Sequence, residues 1–65
     1  MNTRNRAIET IARMGEITQE RAAKVYDIYI NEKILKVDVV TGEWRVTHGA
    51  FLDKETIQHV ATLDA

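Results

Sequence analysis

The stretch from Leu35 to Val46, LKVDVVTGEWRV, is the part of this chain that most restricts its fold. Folded back at Thr41-Gly42, it sorts into two faces. Val39 meets Trp44 and Val37 meets Val46, with Leu35 extending the same side. Asp38 meets Arg45 and Lys36 meets Thr47 on the other side. Successive strand residues point to opposite faces, so one apolar and one charged face from a single fold-back predicts a β-hairpin. Thr resists positive φ, so a two-residue type I′ turn is disfavoured. A four-residue loop from Val40 to Glu43, with Gly42 in the left-handed position, gives the same pairing. A three-residue loop would set Val37 against Arg45 and mix the faces, which a half-buried sheet does not tolerate.

Helical spacing fills the remainder. A first helix is expected over about Arg4 to Met14, with Ile8, Ile11 and Ala12 as its buried stripe and Ala7 beside them. Glu9 and Arg13 are placed to pair across one turn, and Gly15 is expected at the C′ position. Thr18 is expected to cap a second helix that runs to about Lys33. At about 100° per residue, Ala22, Val25, Tyr26, Tyr29 and Ile30 share one face, and Ile28 is left exposed in the polar arc opposite. After the hairpin, His48-Gly49-Ala50-Phe51 turns the chain. Asp53 is expected to cap a third helix over about Lys54 to Leu63, with Leu52 and Ile57 forming a hydrophobic staple. Ile57, Val60 and Ala61 form its inward stripe. The fold class is therefore α+β, in the order α-α-β-β-α, with three helices packed on one antiparallel hairpin.

The chain has 65 residues and no Cys, Pro or Ser. That is one domain, 1–65, with no disulfide or thiolate site. Its 45% apolar and 29% charged residues make it globular rather than disordered. A core this small and unstapled leans readily on a partner or on self-association. The apolar runs are too short for a membrane span, and the opening MNTRNRAIETIARMG lacks a signal-peptide core, so no membrane contact and a cytoplasmic location are expected. Net charge is −1, unevenly spread: residues 1–24 carry five basic against three acidic side chains, and residues 25–65 carry four against seven. This balance disfavours a strong nucleic-acid binder.

The chemistry-bearing residues are sparse. His48 and His59 flank Asp53 and Glu55, but no HxxxH or CxxC spacing accompanies them, so they read as solvent-facing and no metal site is expected. Without Ser, Cys or a Gly-rich phosphate loop, and with little room for a concave pocket, the chain is expected to be neither an enzyme nor a cofactor binder. Trp44, Tyr26 and Tyr29 suggest a stacking platform for single strands, but all three fall on core-facing positions and read as core aromatics.

GEITQERAAKVY, from Gly15 to Tyr26, resembles the short strand and second helix of a winged-helix DNA-binding domain, and ILKVDVVTGEWRVT, from Ile34 to Thr47, resembles its wing. Between such segments that family places a separate recognition helix; here one helix runs directly into the hairpin. The resemblance implies nucleic-acid contacts by Arg4, Arg6, Arg13, Lys36 and Arg45. On this chain Arg13 is expected to pair with Glu9 and Arg45 with Asp38, so nucleic acid is the alternative partner and is not favoured. The small, Cys-free build is also similar in style to phage-encoded proteins that bind larger host or virion proteins. The favoured reading is a non-enzymatic protein-interaction module, a small regulator or assembly component, whose partner is another protein or a second copy. Its candidate contact residues are Arg21, Lys24, Ile28, Asn31 and Val40.

Overall fold

Two helix endings of the same kind set the path of the chain. A computed structural model describes residues 3–63. Helix α1, Thr3–Gly15, ends where the Ile17 amide donates to Ala12 O (3.0 Å) and the Glu16 amide to Arg13 O (3.3 Å). Helix α2, Gln19–Asn31, ends where Ile34 donates to Tyr29 O (2.8 Å) and Lys33 to Ile30 O (3.1 Å). Both are Schellman motifs, in which two orphan carbonyls of the last turn are satisfied by amides beyond it. The position that needs positive φ is filled by Glu16 (53°) and Lys33 (61°), not by glycine. Gly15 therefore does not serve as the left-handed stop expected of it, and α2 ends two residues short of Lys33.

Gly15 has a different task. It is buried within α1, and a Cβ there would stand 3.0 Å from Ile57 Cβ and closer still to Ile57 Cγ2. Its missing side chain lets helix α3, Lys54–Ala61, lie against the end of α1. Gln58 Nε2 donates to the Gly15 carbonyl at 2.8 Å, and Lys54 pairs with Glu16 at 3.0 Å on the surface. Asp53 holds the cap position of α3 and its carbonyl accepts from Ile57 (3.0 Å), but its side chain makes no cap bond. The helix stops at Ala61, short of Leu63, with Thr62 Oγ1 donating to His59 O.

Strands β1, Leu35–Val37, and β2, Trp44–Val46, form a two-stranded antiparallel sheet, and a 3₁₀ turn, Gly49–Leu52, leads into α3. The order α-α-β-β-α in the α+β class is that read from the sequence, with the 3₁₀ turn added. His48 opens the turn, its Nδ1 accepting from Ala50 N at 3.2 Å.

The core joins Ala7, Ile8 and Ile11 of α1, Ala22, Val25, Tyr26 and Tyr29 of α2, Leu35 of β1 and Ile57 of α3. Tyr29 is wholly buried, yet its hydroxyl donates to Phe51 O at 2.8 Å and its ring meets Phe51 edge-on at 5.6 Å. Burial raises its pKa above the ordinary phenol value. Two flanking isoleucines of α2 exchange their expected roles. Ile28 is half-buried and packs on the core, while Ile30 is 38% exposed. They lie on opposite sides of the arc centred between Val25 and Tyr29, and the fold covers the Ile28 side. No helix among the described residues is long and apolar enough to cross a membrane.

Two substitutions test this account. Gly→Ala inside a helix ordinarily gains about 0.5–1 kcal/mol. Gly15→Ala instead should lose about 1–3 kcal/mol in urea unfolding, because a stiff β-branched neighbour must move. Lys33→Gly should gain about 0.5–1 kcal/mol in the same measurement by relieving the left-handed backbone.

Candidate functional site

Asp38 organises the hairpin loop. Its Oδ1 accepts from Val40 N (2.9 Å) and Thr41 N (3.3 Å), a turn that Asp favours because its short carboxylate imitates a backbone carbonyl. These two bonds, and less strongly the nearby Arg45 charge, hold the carboxyl below the usual Asp range. The Asp38 carbonyl accepts from Gly42 N and its amide donates to Glu43 O, both at 2.8 Å. Gly42 takes φ 76°, the left-handed position expected of it. Thr3 Oγ1 donates to Gly42 O at 3.1 Å, so the first turn of α1 is tied to the loop.

The loop thus comprises Val39 to Gly42, one residue earlier than expected, and the register differs by two. Val37 pairs with Trp44, Lys36 with Arg45 and Leu35 with Val46. The expected pairs Val39–Trp44, Val37–Val46, Asp38–Arg45 and Lys36–Thr47 do not form. A two-residue slip preserves the sorting of faces, which is why it escapes a test based on alternation. Leu35, Val37, Trp44 and Val46 still point inward, and Lys36 and Arg45 outward. The missed signal was Asp38, whose capping of a turn outweighs a surface pair with Arg45.

This register has two consequences. Val39 leaves its expected strand and joins Val40 in the loop, where they are 91% and 89% exposed. Lys36 and Arg45 become directly opposed like charges, an unfavourable arrangement. Neither the Asp38–Arg45 nor the Glu9–Arg13 pairing is within ion-pair distance; the ion pairs between described residues are Arg4–Asp27 (3.6 Å) and Lys54–Glu16.

An open groove of about 570 Å³ runs along the hairpin. Arg6 of α1 lines it together with Lys36, Val37, Trp44 and Arg45 of the strands. Asp38, Thr41, Gly42 and Glu43 complete it from the loop. So the fold does carry a concavity, although the size of the chain left little room for one. Trp44 packs against the core from the face expected of it, but it is half-buried and also lines the groove. Tyr26 and Tyr29 are buried, as expected.

The five arginines and lysines proposed for nucleic acid divide. Arg6, Lys36 and Arg45 share the groove. Arg4 lies over the Tyr26 ring at 5.5 Å and beside Asp27, and Arg13 sits in the last turn of α1. The candidate protein-contact residues divide as well. Arg21, Lys24 and Asn31 are exposed along α2, but Ile28 among them is partly withdrawn into the core, and Val40 belongs to the hairpin loop. Among the described residues no cluster of three or more His, Asp or Glu is arranged to hold a metal ion.

Comparison with protein-family models, curated proteins and solved structures yields no match.

The Asp38 turn should respond to acid. A carboxyl whose pKa is depressed on folding stabilises above its unfolded pKa and ceases to do so as pH falls through the folded value. The Val40 and Thr41 amide resonances should therefore shift together as pH drops below the ordinary Asp range, and Asp38→Asn should remove the titration. Amide shifts that persist in the variant would show another group responsible.

Proposed function

We propose that this protein is a non-catalytic protein-interaction module that engages its partner with the hairpin loop. One observation carries the reading: Val39 and Val40 are adjacent, apolar and almost fully exposed, far above Met14 (44%), Ile30 (38%) and Leu63 (46%). Scattered surface hydrophobes are ordinary, but a pair at the apex of a hairpin is placed to enter an apolar pocket. The loop is held by the Asp38 carboxylate, Gly42 and the Thr3 hydroxyl, so little further ordering is lost on binding. Arg21, Lys24 and Asn31 on α2 offer a separate polar face of ordinary solvated character. The cytoplasm is the location this reading assigns.

The double variant Val39→Asp, Val40→Asp should fold as the wild type does, within about 0.5 kcal/mol, since neither side chain is buried. It should lose a protein captured by the wild-type chain from its native host after nuclease treatment. Equal capture by the variant, or no nuclease-resistant protein captured by the wild type, would overturn the proposal. Light scattering of the wild type identifies the case in which the partner is a second copy.

A further inference from the structure

We propose that the groove between α1 and the hairpin is a second contact site of the same module and takes an acidic peptide segment of the partner protein. The inference rests on the interaction reading above but uses different residues, so either can fail alone.

Charge complementarity is the first argument. Arg6, Lys36 and Arg45 line one groove, and none is within ion-pair distance of a carboxylate among the described residues, although the Arg45 charge is felt at Asp38. Lys36 and Arg45 stand directly opposite across the strands, where like charges repel. A carboxylate entering between them replaces one repulsion by two attractions. Asp38 also lines the groove, but its Oδ1 is engaged by the Val40 and Thr41 amides.

Mixed lining is the second argument. Val37 and Trp44 give the groove an apolar component beside its cations. An extended peptide presents alternate side chains at a two-residue period, so one with alternating acidic and apolar residues meets both components. The same lining disfavours a nucleic-acid strand. Asp38 and Glu43 put two carboxylates in the groove, which repel a polymer charged at every nucleotide. A peptide can set one or two carboxylates at the cations and keep its remaining groups neutral.

Trp44 is the sole tryptophan of the chain, so intrinsic fluorescence reports on this groove. The probe is an acetylated, amidated hexapeptide alternating glutamate and leucine. Its glutamine–leucine counterpart and a thymidine hexanucleotide serve as comparisons. The acidic peptide should give a saturable change in Trp44 emission at low salt. Affinity should fall about tenfold in the double variant Lys36→Gln, Arg45→Gln. That variant should melt no lower than the wild type, because it removes a repulsion; a lower melting temperature overturns the premise. Val39→Asn, Val40→Asn should titrate like the wild type, since neither valine lines the groove and the substitutions add no charge beside it. No saturable change, equal binding of the glutamine peptide, or tighter binding of the hexanucleotide overturns the proposal, the last by assigning the groove to nucleic acid.

Discussion

Tyr29 is the residue on which the separate parts of this fold depend. From the middle of the core it contacts the 3₁₀ turn twice, through its hydroxyl on the Phe51 carbonyl and its ring edge-on to Phe51. Its own carbonyl accepts the amide of Ile34, which ends α2 and starts the chain toward β1. One residue thus takes part in the exit from α2 through its backbone carbonyl and in the approach to α3 through its side chain on Phe51. A buried hydroxyl without a partner costs about 1–3 kcal/mol, a large fraction of the stability of a domain this small, so the Phe51 carbonyl is part of what makes Tyr29 tolerable in the core. With that node in place the hairpin has a fixed root, and its free end is shaped by local chemistry.

Much of the architecture was legible in the sequence because it depends on periodicity. The two helical stripes through Ile8 and Ile11 and through Ala22, Val25, Tyr26 and Tyr29 are buried as their spacing predicts, and Thr18 caps α2 with its hydroxyl accepting from Arg21 N. Periodicity locates the centre of a buried arc but not which flank a neighbour will cover, hence the exchange of Ile28 and Ile30. Gly15 was legible as special and misread as to cause. A glycine at a helix end can supply backbone freedom or space, and only the position of Ile57 separates the two.

The site was less legible than the fold. Alternation along LKVDVVTGEWRV is satisfied by two registers that differ by two residues, and hydrophobicity does not distinguish them. Asp38 does, through a turn whose geometry depends on one carboxylate oxygen and two amides. With that choice the charge pattern of the outer face changes. A neutralising Asp38–Arg45 pair becomes a Lys36–Arg45 pair, and two valines assigned to strand and loop become a shared apex. Arg6 joins this surface only because α1 lies beside the hairpin, a tertiary relation invisible to local sequence patterns.

The bond from Thr3 to Gly42 spans 39 positions, most of the length of the chain. It joins the first turn of a helix, a place where helices fray, to a loop whose ends are far apart in sequence from it. The bond couples the start of α1 to the crest of the hairpin, so that the two hold or open together. Fraying of the helix loosens the crest, and a ligand that grips the crest protects the helix. The amino-terminal amides of α1 would then register occupancy at the crest to which Thr3 is bonded.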